Sequence, residues 1–271
     1  MLADGERRTV VEAKEFERQI SCWLRRADRK HAVQAENLAL RRDAVTVLRY
    51  VSDHKVVGTQ STGNFSLKVV REVTARFVEP PVLDTIIGDH TYRLRSEDDV
   101  WPLVLIHTLL YDGELLSLDP PHRWQVTEFG ERFLASSPVF QVWMLSATWW
   151  YWSEWHIAYP IAGLGEGPPP GFKRATLDHL LALPVERPVP FVAFTDRLIE
   201  KTGLEWTSEN KTYHQMLLRG AVERIVVRLL ATFEVLEPRY EKIPGSTRTY
   251  PELVEFQVTR FGRDMLECLA S

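Results

Sequence analysis

The sequence predicts a mainly α chain with small β-hairpins, an α+β fold made of two copies of one helix–hairpin–helix unit. Three observations carry that prediction. Trp124-Gln125-Val126-Thr127-Glu128-Phe129-Gly130-Glu131-Arg132-Phe133-Leu134-Ala135-Ser136 returns as Phe256-Gln257-Val258-Thr259-Arg260-Phe261-Gly262-Arg263-Asp264-Met265-Leu266, closing on Leu269-Ala270-Ser271. Each copy follows an apolar helical stretch and a two-strand segment. A Gly/Pro-rich run, residues 163–171, lies between them. Repeated supersecondary units set the architecture of a chain, and 271 residues suffice for two units of ordinary size.

The elements follow in order. Residues 6–30 read as a helix, with Val10, Ala13, Phe16, Ile20, Trp23 and Leu24 at three-to-four spacing and no Gly or Pro inside. Asn37 to His54 reads as a second, with Leu40, Ala44, Val47, Leu48 and Val51 inward. Lys55 to Thr59 is a short strand, Ser61 to Asn64 a turn, and Phe65 to Val78 a helix ended by Glu79-Pro80-Pro81. The stretch from Val82 to Arg95 reads as a loop. Ser96 can cap a helix led by Glu97, Asp98 and Asp99, acids suited to the positive helix start. That helix runs to Leu110 and stops at Asp112-Gly113; Pro102 is tolerable in its first turns. Glu114 to Leu118 and Arg123 to Thr127 form a hairpin, and Thr127 caps a helix to Ser136.

A Trp-rich helix then precedes the linker Gly163 to Gly171. Lys173 to Leu183 is a short helix, Pro184 to Pro190 a connector, Phe191 to Phe194 a strand and Asp196 to Thr202 a helix. A long helix spans Lys211 to Thr232. Glu234 to Ile243 and Leu253 to Thr259 form the second hairpin, and Arg260 to Leu269 the last helix.

This order, with Leu109-Leu110-Tyr111-Asp112-Gly113-Glu114-Leu115-Leu116 leading into Trp124-Gln125-Val126-Thr127-Glu128-Phe129-Gly130, resembles the winged helix-turn-helix. The match is to the wing region of MarR- and PadR-type regulators, over about forty residues in each half. Val126 and Val258 replace the Leu of that family's Leu-Thr-x-x-Gly stretch. The resemblance implies two winged units, 36–138 and 173–271, joined by a Trp-rich helix and linker at 139–172 and preceded by a basic helix at 1–35. It also implies DNA binding through the third helix of a unit, which needs polar or basic side chains facing base edges. In the first unit that helix begins with three acids and continues apolar. It is expected to be buried and unable to read DNA.

Charge narrows the partners. The net charge of −4 argues against a generic polyanion binder. Its distribution is uneven. Residues 1–79 hold 15 Lys+Arg against 11 Asp+Glu, and residues 80–138 hold 4 against 10. The candidate nucleic-acid contacts are Arg25, Arg26, Arg29, Lys30, Arg41 and Arg42 in the N-terminal helices, with Arg49 beside them. Lys68 and Arg71 follow, then Arg219, Arg224, Arg228, Lys242 and Arg248 in the second unit. Trp143, Trp149, Trp150, Trp152 and Trp155 are the second candidate set. They either form a helix wedged between the two units, or anchor a homodimer or protein partner, since Trp is favoured at interfaces.

No HExxH, P-loop, GxSxG or calcium loop is present, and no metal or cofactor is expected. His107 reads as a hydrogen-bonded core residue. Val139 to Ala162 could span a bilayer by length, but polar residues interrupt it and its apolar character is largely Trp and Tyr. Cys22 and Cys268, near opposite ends, read as reduced thiols. The expected function is non-enzymatic: a cytoplasmic DNA-binding or transcription-associated protein. The alternative is a winged-helix adaptor using its acidic first unit and Trp cluster to engage a protein.

Overall fold

The computed structural model describes residues 10–271 apart from 88–89, 159–162, 165–166, 208–212 and 243–249; at 10–17, 28–29, 85–87, 91–92 and 157–158 only the backbone is described. The chain is mainly helical with small antiparallel sheets.

The N-terminal helices are α1 (Val10–Lys30), α2 (Ala32–Asn37) and α3 (Ala39–Asp53), with breaks at His31 and Leu38. Leu40, Ala44, Val47, Leu48 and Val51 form the buried face of α3. Asp43 shares that face. It accepts from the Val78 amide at 2.8 Å, and burial raises its pKa. The strand predicted at 55–59 is reduced to single bridges, Val57 to Arg123 and Gly58 to Phe65. Helix α4 (Leu67–Thr74) is capped by Ser66 and ends before the predicted Val78. Where a loop was expected, β1 (Thr85–Ile87) pairs with β2 (His90–Tyr92). The β-branched run Thr85-Ile86-Ile87 suits a strand.

A single 3-10 turn at Glu97–Asp99 leads into α5 (Trp101–Asp112), then β3 (Leu116–Asp119), β4 (Arg123–Val126) and α6 (Glu128–Ala135). The Trp-rich segment is not one helix. It is α7 (Pro138–Ala147), a π turn at Thr148–Trp152, a break at Ser153, and α8 (Trp155–Ala158). Among the described residues no helix is long and apolar enough to cross a membrane.

After the linker come α9 (Phe172–Leu181), β5 (Val189–Pro190), α10 (Phe191–Thr202), α11 (His214–Val222), a π turn at Glu223–Arg228, and α12 (Leu229–Thr232). The hairpin β6 (Leu236–Glu241) and β7 (Glu252–Val258) and the helix α13 (Arg260–Ala270) complete the chain. The strand predicted at Phe191–Phe194 is instead the first turn of α10. Phe191, Phe194, Thr195 and Leu198 are its buried residues, which is helical spacing.

The sequence repeat is a repeat of hydrogen bonds. In the first copy Thr127 Oγ1 accepts from the Gly130 amide (2.9 Å) and donates to the Glu114 carbonyl (2.7 Å). In the second, Thr259 Oγ1 accepts from the Gly262 amide (2.8 Å) and donates to the Glu234 carbonyl (2.7 Å). Glu114 and Glu234 both turn the chain with positive φ, 58° and 56°. Registers match too: Leu116 faces Val126, and Leu236 faces Val258. The second hairpin belongs to a three-stranded sheet in the order β5-β7-β6. The first shows the same arrangement in outline, because Gly58 and Val56 bond backbone to backbone with His122 and Trp124 beside β4.

One continuous core runs from Trp23 to Leu269. Helix α1 packs on α7 and α13, and α2 on α7 and α3. Helices α1 and α13 are thereby held together. Trp23 sits at the centre of this contact, fully buried. It stacks on Trp143, meets Phe261 edge-on, and donates its indole N–H to the Val139 carbonyl at 3.0 Å.

Candidate nucleic-acid interface

The helix preceding each hairpin is the natural place to look for a reading element, and the two copies differ there. In the first copy, α5 buries Leu103, Leu105, Ile106, Leu109 and Leu110. It packs on α3, while the Thr148–Trp152 turn and α8 lie against it as well. A Cβ added at Gly113, just past its end, would stand 2.9 Å from Thr148 Oγ1. The helix is covered by its own chain.

The acids at its start are not directed at solvent as a group. Glu97 is only 3% exposed and accepts from the Phe65 amide at 2.6 Å and from His107 Nδ1 at 2.5 Å. His107 is therefore the hydrogen-bonded residue its apolar setting predicts. Its ring stacks on Phe65 and meets Trp124 edge-on. Asp98 accepts from Asn64, and Asp99 from the backbone of Arg95 and Ser96. Together these contacts tie the 59–65 loop to α5 and the hairpin, a structural use of charge that requires satisfied partners.

The second copy leaves its helix open. Tyr213, Gln215, Met216 and Arg224 are exposed along α11 and its extension, and a Cβ at Gly220 would meet nothing within 4 Å. Arg228 is exposed at the next turn; its guanidinium bonds Glu223 and lies over the Tyr240 ring at 5.9 Å. Lys242 is exposed at the end of β6. Arg219 is held by both carboxylate oxygens of Asp196, at 2.8 and 2.6 Å. That pair raises the arginine pKa and lowers the aspartate pKa through the shared hydrogen bonds. Arg248 lies outside the described residues.

The N-terminal basic set is divided between internal contacts and the surface. Arg26 pairs with Glu267 and Asp264 of α13, and Lys30 approaches Asp264 at 3.9 Å. Arg41 is half-buried and donates to Gln141 on α7 and to the Glu36 carbonyl; burial, then Arg42, lowers its pKa. The side chain of Arg29 lies outside the described residues. Arg25, Arg42 and Arg49 are exposed, with no ion pair to a described residue. Lys68 pairs with Glu72, and Arg71 with Asp84 at 3.0 Å through both oxygens. Within the N-terminal set, Arg26 and Arg41 are engaged by the protein's own chain, whereas Arg25, Lys30, Arg42 and Arg49 stay exposed.

The chain matches no protein-family model, no curated protein and no solved structure.

Of the two places expected for the tryptophans, the interior is the one most of them occupy. Trp143, Trp149, Trp150 and Trp155 are buried, and Trp152 is half-buried. Trp149 stacks on Trp155, whose indole N–H donates to the Trp149 carbonyl at 2.9 Å and whose ring meets Phe172 edge-on. They pack the junction between the copies, the wedge reading, and four of them offer no surface for a partner. Lys173, missed in the sequence, closes this junction. Its ammonium lies over the Trp155 ring at 5.5 Å and donates to the Ser153 carbonyl, and burial pushes its pKa down to about 8. Tyr213 and Met216 were missed as well. Their signal was available, because they share a helical face with Gly220 and Arg224.

Proposed function

We propose that this chain is a non-enzymatic tandem winged-helix protein of the cytoplasm that binds double-stranded DNA, in a transcription-associated role, through its second unit alone. The observation that carries the reading is the contrast between the two helices. The first, α5, is covered by its own chain, whereas α11 and its extension keep an outward face with Arg224 and Arg228 exposed. The sheet order β5-β7-β6, with α10 between β5 and the open helix, is the order expected of a winged unit. In this reading Arg224, Arg228 and Lys242 contact phosphates, and the first unit serves as a brace.

A titration of labelled random duplex at two salt concentrations tests it. Each phosphate contact contributes about one unit to the slope of log affinity against log salt. The double variant Arg224→Glu with Lys242→Glu should weaken binding at least tenfold and flatten that slope. Unchanged affinity in that variant would sink the assignment.

A second reading is favoured by the exposed Tyr213, Met216 and Tyr250, residue types enriched in protein interfaces, and by Arg239, which Glu255 and Glu241 neutralise. Here the same face docks a protein. Its affinity would change little with salt, and Met216→Glu would abolish it.

A further inference from the structure

We propose that Cys22 and Cys268 form an intrachain disulfide when the folded protein meets a small-molecule disulfide oxidant, making them a modification site that ties the first helix to the last. The two sulfurs are separated by 246 positions in sequence, yet they lie 2.7 Å apart, both as free thiols. A disulfide bond is about 2.05 Å long, so bonding requires a movement of under about 1 Å.

The approach is held by the packing of two helices. Along α1 and the residue just past its end the contacts run Cys22, Arg26, His31; along α13 their partners run Cys268, Glu267, Asp264. This is an antiparallel pair whose register is fixed by Trp23 and His31 packing on Phe261 and by His31 bonding Asp264 at 2.9 Å. A slip of either helix would break all of these contacts together.

The two sulfurs differ in access. Cys22 is half-buried and Cys268 is buried, its thiol pushed far up by that burial. Cys22 is therefore the attacking sulfur. With glutathione disulfide, the Cys22 thiolate attacks one sulfur and releases the first glutathione as a thiol. Cys268 then gives up its proton and attacks Cys22 Sγ, and the second glutathione leaves with that proton. Two protein thiols are oxidised and one glutathione disulfide is reduced. A glutathione adduct on Cys22 is thus the obligatory intermediate, and Cys268, buried beside it, resolves it.

The test exposes the full-length folded protein to glutathione disulfide and follows thiol titration, intact mass and non-reducing peptide mapping. The expected end point is a monomer two hydrogens lighter, with no titratable thiol and one linked peptide pair containing Cys22 and Cys268. Its Tm should lie several degrees above that of the reduced protein, because the link closes almost the whole chain. In Cys268→Ala the adduct on Cys22 should persist. In Cys22→Ser, which keeps the buried partner intact, Cys268 should stay unmodified. A permanent adduct on Cys22 in the wild type, two thiols that stay titratable, or an intermolecular link would each overturn the proposal.

Discussion

Three glycine-to-alanine substitutions separate local helix propensity from tertiary contact. Gly130 and Gly262 lie in the first turns of α6 and α13, where a Cβ would stand 2.3 Å from the Leu115 carbonyl oxygen and 2.1 Å from that of Val235. Both obstacles are backbone, so a side-chain rotation cannot relieve them. Forcing an extra carbon into packed structure costs about 1–3 kcal/mol, and backbone against backbone belongs at the upper end. Alanine returns about 1 kcal/mol of helix propensity. The net loss is about 2 kcal/mol in each copy, or about 5 °C in Tm for a chain of this size. Gly220 is the control. It is mid-helix with nothing within 4 Å of its added Cβ, so Gly220→Ala should raise Tm by about 2–3 °C. Urea denaturation and thermal melts of the three variants read the result. If Gly262→Ala were as stable as wild type, helix α13 would not abut the 234–235 turn as described. Unequal losses at Gly130 and Gly262 would show that the two copies are less alike than their hydrogen bonds.

Trp23→Ala should cost about 3–5 kcal/mol, since it empties a fully buried site and leaves the Val139 carbonyl without its indole donor. Limited proteolysis should then release α1, and an unchanged cleavage pattern would contradict the clamp. Lys173 has its pKa lowered from 10.5 to about 8, so between those values the unfolded chain holds a proton the native chain has released. Stability should therefore rise with pH across that window relative to Lys173→Met, and parallel stability–pH curves would refute the burial argument. The depressed Asp196 pKa acts in the same direction but in an acidic window: its contribution is present above the usual carboxylate range and disappears as pH falls through the lowered native value. Because the pair with Arg219 is partly exposed, Asp196→Asn should cost no more than about 1 kcal/mol at neutral pH, and a much larger loss would mean a drier pair than the structure shows.

The sequence by itself determined what depends on neighbours along the chain. Thr127 and Thr259, each three residues before a glycine, fix a cap by local hydrogen bonds, so the repeat was legible as two helix–hairpin–helix copies. Helical spacing marked the inward face of α3, whereas Ser96 and its acids, read as the start of α5, cap a separate 3-10 turn and α5 begins only at Trp101. Spacing misplaced Phe191–Phe194 as a strand because a short apolar run reads alike in either conformation, and burial decided for the helix. Only the tertiary structure decided which faces are covered. Periodicity shows that α5 is apolar, yet it cannot show that the 148–158 segment lies across it while the equivalent face of α11 stays open. Charge counts located Arg26, Arg41 and Arg219, but their partners Glu267, Gln141 and Asp196 come from other helices. The contact between Cys22 and Cys268 is the extreme case. No spacing rule links residues 246 apart, because only the packing of two helices, each stabilised by its own neighbours, brings them together.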